Sequence, residues 1–146
     1  MQRLLMDLIE TVNSRHAAGI DFGTGHGLFP AEIHTIEAIG LNEGISVTQL
    51  AVFFKVSKPT ISERVRKLAK KGLIVKTKKA EDAKAVALRL TGEGRIAFEG
   101  HKAHHQKMYE LFSEYFGSDT REKIEGFSNA FAQFLRIAQK LDNHGR

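Results

Sequence analysis

The chain has 146 residues, with 22 Lys and Arg against 17 Asp and Glu, a formal charge of +5 and no cysteine. That length suits a single folded chain with a real core. The missing cysteine excludes disulfides, thiolate metal sites and cysteine-based redox sensing, and no run of about eighteen apolar residues is present to span a bilayer.

In chain order, Met1 to Gly19 is a helix candidate: Leu4, Leu5, Leu8, Ile9 and Val12 form an apolar stripe at helical spacing. The start lacks a charged-then-apolar leader pattern, so a cytoplasmic location is expected. Ile20 to Leu28 is glycine-rich. No Lys-Ser/Thr follows, so it is not a phosphate loop, and a flexible connection is expected. Pro30 then opens a helix with Ile33, Ile36 and Ile39 on one side and His34 near its start.

Ser46 and Gln49 form a capping-box pattern for a short helix, with Leu50 and Phe53/Phe54 as its apolar side. A break is expected at Lys55-Val56-Ser57. Ser57 caps the next helix, with Pro59 in its first turn, and Ile61, Val65 and Leu68 make its buried stripe. Pro59, Glu63, Arg66 and Lys70 point the other way, and Gly72 closes the helix. Leu73-Ile74-Val75 and Val86 to Leu90 read as two strands, with Lys76 to Lys84 as a polar, exposed hairpin tip. The order helix, turn, helix, wing is that of a winged helix-turn-helix. From Lys55 to Arg89 twelve Lys/Arg face three Asp/Glu, a net +9, so the remainder sums to −4. A basic lobe on an otherwise acidic chain reads as a surface for nucleic-acid phosphates.

Thr91 caps a long helix carrying His101, His104 and His105. His101 and His105, four apart, share a helix face about 6 Å apart, the spacing that lets two imidazoles reach one metal ion. His104 is turned by about 100° from His105. A solvated polar face is the plain alternative for the same three residues. The last helix starts at Asp119-Thr120-Arg121-Glu122, a capping-box pattern. Ile124, Phe127, Phe131, Phe134, Ala138 and Leu141 then repeat as a heptad seam. With Met108, Leu111, Phe112 and Tyr115 they exceed what the small lobe can bury, which points to a two-fold helical interface.

The stretch SVTQLAVFFKVSKPTISERVRKLAKKGLI and the LRLTGEG after the wing resemble the MarR family of winged-helix transcription regulators, from about Phe29 to Glu110. The resemblance implies a mainly α fold with a small β wing (α+β). It implies one MarR-like chain over 1–146, with a DNA-binding lobe at 29–91 and dimerisation helices at 1–19 and 92–143. It further implies a homodimer on a palindromic operator in double-stranded DNA, released or tightened by a small effector, and no enzyme. Lys58, Thr60, Ser62, Glu63 and Arg66 fall on recognition-helix positions, and Lys78, Lys79 and Lys84 on the wing. Lys84 stands where the family commonly has Arg, which fills a narrow minor groove differently.

The closest likeness is to zinc-responsive members. It assigns His34, His101 and His105 to a metal site and leaves the fourth ligand to His16 or Asp21, because Phe22 occupies the family's Cys position. Such ligands suit Zn²⁺, and also Ni²⁺, Co²⁺, Mn²⁺ or Fe²⁺. The alternative within the family is control by a small apolar or phenolic ligand, with no metal, in a cleft between the pre-motif helix and the dimer helices. A metal-dependent hydrolase has little support, since no HExxH or nucleophile constellation is visible.

Overall fold

The computed structural model describes residues 19–79 and 82–144, together with Arg3, Asp7, Glu10, Thr11 and Ser14; side chains are described for 19–78, 86–137 and 140 within that span. Those five early residues are helical and exposed, as the polar face of the expected first helix should be; its apolar stripe lies outside the described residues. The chain divides into two compact units, Met1–His104 and His105–Arg146. Among the described residues no helix is long and apolar enough to cross a membrane.

The first unit is the expected winged helix-turn-helix, mainly helical with a small antiparallel hairpin. Helix α1 (Pro30–Leu41) starts with proline in its first turn. The Glu32 carboxylate accepts the Phe29 N–H at 3.1 Å. Helix α2 (Val47–Phe54) carries the expected Ser46/Gln49 capping box and ends at Lys55, in the left-handed conformation with φ 53°. Only half of its expected apolar side is inward: Leu50 and Ala51 are buried and Phe54 is half-buried, but Phe53 is exposed and meets Phe54 edge-on.

Helix α3 (Lys58–Lys70) is capped by Ser57, whose hydroxyl accepts the Thr60 N–H. Ile61, Val65 and Leu68 are fully buried, as their spacing requires. At its end Gly72 N–H donates to Ala69 O and Leu73 N–H to Leu68 O. That is a Schellman closure, and it needs the left-handed residue that Gly72 supplies at φ +73°.

Strands β1 (Ile20–Asp21) and β2 (Gly27–Leu28) pair antiparallel, so the glycine-rich stretch is an ordered turn rather than a flexible connection. The reason is Asp21: its Oδ1 accepts the N–H groups of Gly23, Thr24 and Gly25 at 2.9–3.0 Å. This closes the loop on itself. The wing is also more regular than expected. Strands β3 (Ile74–Lys79) and β4 (Asp82–Leu90) carry their ladder from Ile74↔Leu90 to Lys79↔Asp82, with an irregularity at Lys78/Lys79. The strands therefore extend into the stretch expected as loop. Leu88 also exchanges backbone hydrogen bonds with Gly44 and Ile45, which seats the wing on the α1–α2 turn.

Thr91 joins the parts. Its hydroxyl donates to Gly72 O at 2.6 Å and accepts the Gly94 N–H, so helix α4 (Gly92–Phe116) starts against the end of α3. The core of this unit is Leu28, Ile33, Ile36, Ile39, Leu50 and the α3 stripe, closed by Leu73, Leu88 and Ala97.

The second unit holds the rest of α4, a 3-10 turn at Gly117–Asp119 and helix α5 (Thr120–His144). Its corner is set by Thr120 Oγ1 donating to Gly117 O and by Lys123 Nζ donating to Phe116 O. The 3-10 turn occupies the place of the expected Asp119/Glu122 capping box, and Ser118 takes up the Asp119 carboxylate. Met108, Leu111, Phe112, Tyr115, Phe127, Phe131 and Phe134 are all exposed. Ala138 and Leu141, the end of the seam, lie outside the described side chains.

Candidate nucleic-acid interface and histidine cluster

The burial of Ile61, Val65 and Leu68 decides what α3 shows to solvent. Lys58, Thr60, Ser62, Glu63, Arg66 and Lys70 are all exposed. Thr60 Oγ1 is engaged with Ser57 Oγ at 2.7 Å, so it belongs to the helix start as well as to the outer face. Arg66 grips Glu63 with Nε and Nη2 at 2.7 and 2.6 Å. That hydrogen-bonded guanidinium holds the Glu63 carboxyl below its usual range. On the wing, Lys76 and Lys78 are exposed. Lys79 and Lys84 lie on β3 and β4 by backbone, and their side chains lie outside the described ones.

The cationic count is a less uniform surface than the sequence implies. Arg64 turns inward, donating to Thr35 Oγ1 at 3.2 Å and lying over the Phe54 ring. Lys71 donates to both oxygens of buried Glu32 at 2.9–3.0 Å and to Gly27 O. Arg89 pairs with Glu43 at 3.3 Å. Arg64 and Lys71 are thus drawn into the lobe itself, and Arg89 is engaged in an exposed pair. Charge alone cannot reveal this, because each partner is distant in sequence.

The histidines fall as the i, i+4 spacing predicts. His101 is buried, and its ring centroid lies 5.4 Å from that of His34 on α1. His105 follows one turn later on the same uninterrupted helix. One potential ligand nitrogen from each of His34, His101 and His105 lies within 4.8 Å of the others. Three imidazoles so placed fit a tetrahedral divalent ion with one position left over. Glu37 Oε1 is 3.9 Å from His101 Nδ1, near enough to orient the ring electrostatically but too long for a hydrogen bond.

Of the two expected fourth ligands only Asp21 is among the described residues. His16 lies outside the described residues. Asp21 spends its carboxylate on the loop's own N–H groups. Phe22 stands beside the cluster instead, buried and edge-on to His101 and His104 at 5.3 and 5.7 Å. Gly100 permits this, since a Cβ there would collide with the Phe22 carbonyl. Sequence reading named Phe22 only as a missing ligand; its role as a packed wall depends on that close approach.

The MarR family model matches residues 26–85. The HTH-type transcriptional regulator YhjH of Bacillus subtilis (strain 168) is 33% identical over 105 residues, which are 72% of this chain and 60% of YhjH. The chain therefore spans less than two thirds of that relative's length. The crystal structure of Streptococcus pneumoniae FabT in complex with DNA superposes with a TM-score of 0.72 at 24% identity, over 94% of this chain and 98% of FabT. Lactococcus lactis ZitR, a zinc-responsive MarR family member, gives 0.66 at 17% identity over 92% and 95%. At these identities the two structures speak for the fold. The MarR family model thus falls on the winged helix-turn-helix lobe, and the solved structures share the fold of the chain.

Proposed function

We propose that the chain is a sequence-specific, DNA-binding transcription regulator that acts in the cytoplasm as a homodimer, with operator affinity set by a divalent metal. The observation that carries the DNA reading is α3 itself: a capped helix with one fully buried stripe and an outer face of Lys58, Ser62, Arg66 and Lys70. Such a helix enters the major groove while wing lysines reach phosphates or the minor groove. The bare Phe127, Phe131 and Phe134 support the dimer, which would present two heads to a palindrome one turn, about 34 Å, apart. The regulators matched are not enzymes, and no catalytic residue is assigned.

For the metal, His34, His101 and His105 are the residues that would hold it, with Zn²⁺ the best match to three imidazoles. Bound there, the ion would cross-link α1 to α4. Thr35, one residue beyond His34, carries that constraint to α3 through its hydrogen bond from Arg64. Calorimetric titration of Zn²⁺ into wild type and into the His101→Ala/His105→Ala protein tests the site, and operator competition with and without Zn²⁺ tests its effect. Equal Zn²⁺ binding by the two proteins sinks the metal reading. Equal affinity for operator and random DNA sinks the regulator itself, which should prefer its operator by about 10³ or more.

One observation favours the organic-effector alternative. An open groove of about 780 Å³ lies on the head, walled by Phe29, Ala31, Arg64, Lys67, Lys70 and Lys71. Glu32 and Glu63 line it beside those cations, and it lies between α1 and α3 rather than against the dimer helices, so Phe29 is the feature that suits a phenolic ring.

A further inference from the structure

The outer face of α3 carries a pair that is assembled before any DNA arrives. A guanidinium has two hydrogen-bonding edges, one formed by Nε and Nη2 and one by the two Nη groups. In Arg66 the first edge is taken by Glu63, through Nε to Oε2 at 2.7 Å and Nη2 to Oε1 at 2.6 Å. The second edge is left facing away from the carboxylate. Each Glu63 oxygen keeps a lone pair, and Lys67 Nζ stands only within 4.0 Å of one of them. The two side chains are 63% and 49% exposed, so the pair adds little to stability. Its consequence is geometric: a long, flexible side chain is held with one donor fork outward and an acceptor beside it.

That alternation has a match in the major groove. Guanine offers two acceptors, O6 and N7, to a bidentate arginine, and cytosine offers its N4–H donor to a carboxylate. A phosphate offers acceptors alone and repels Glu63. We propose that Glu63 and Arg66 act as one reading unit for a G·C position of the half-site. Arg66 donates from its free edge to guanine, while Glu63 positions that edge and accepts from cytosine N4. This inference rests on the groove-docking reading above.

Selection from a random-sequence duplex library, with the recovered DNA sequenced, tests it on the full-length protein. Wild type should enrich a two-fold symmetric motif containing one strongly preferred G·C pair in each half. Glu63→Gln should weaken the preference at that pair by roughly tenfold, leave the other positions intact and raise affinity for unselected DNA. Arg66→Lys, which keeps the charge but has no fork, should lose the same position. In Glu63→Gln the freed Arg66 should turn to a phosphate, steepening the salt dependence by about one counterion. A motif for Glu63→Gln identical to wild type at every position overturns the proposal, as does an equal loss at all positions. A wild-type protein that enriches no motif overturns the groove reading first, and this inference with it. Both residues are exposed, so circular dichroism should show the variants folded.

Discussion

The two units bury their apolar residues in opposite ways. In the head, Ile36, Ile39, Leu50, Ile61, Val65 and Leu68 are sealed completely. In the helical unit, Phe127, Phe131, Phe134, Leu135 and Ile137 are each more than half exposed. The head is small, yet it closes its own core, because a hairpin and three short helices surround one centre. Two long helices joined by a corner have no such centre, and they leave their apolar side open. One unit closes its own core, and the other leaves its apolar side to the proposed dimer.

The largest effect should come from spoiling the exposed seam. Phe131→Glu combined with Phe134→Glu should give a monomer by sedimentation and weaken operator binding by about 10²–10⁴, the avidity of two linked heads. A dimer that persists would place the interface elsewhere. Next, the same deletion should cost differently in the two units. Leu68→Ala should lose about 2–5 kcal/mol in urea unfolding. Leu135→Ala, at concentrations where the chain is monomeric, should stay within about 0.5 kcal/mol. Comparable losses would remove the contrast.

Two glycines sharpen it further. A Cβ at Gly94 would collide with the Leu73 carbonyl, so Gly94→Ala should destabilise by about 1–3 kcal/mol. Gly126, within α5, has open space around it, and Gly126→Ala should stabilise by up to about 1 kcal/mol. The smallest effect concerns pH. Arg66 holds the folded-state pKa of Glu63 below its ordinary value, so their pairing is present above that ordinary value and is lost only as pH falls through the depressed one. Sequence preference at the G·C position should therefore stay flat from pH 8 to about pH 5, as read by competition binding. A decline already at pH 6 would implicate a histidine instead.

Much of the head was legible because its signals are local. The Ser46/Gln49 box, the Ser57 cap and the Gly72 closure each act within a few residues, so the chain states them directly. Periodicity likewise named Ile61, Val65 and Leu68 as the inward side. The same reasoning misplaced Phe53, since a helix of eight residues has too few turns to define one face. It also read residues 20–28 as slack, because it could not see the Asp21 carboxylate gathering three N–H groups.

The sequence by itself determined the order of elements, the face α3 turns to solvent and the pairing of His101 with His105, since all three follow from spacing along one helix. The family likeness added His34 to that pair, while tertiary structure alone decided that Phe22 walls the histidine cluster and that Arg64 and Lys71 turn to the fold rather than its surface. Those outcomes depend on partners far apart in the chain, and which of two exposed or buried fates a cation meets is settled only when the distant carboxylate, hydroxyl or ring arrives beside it.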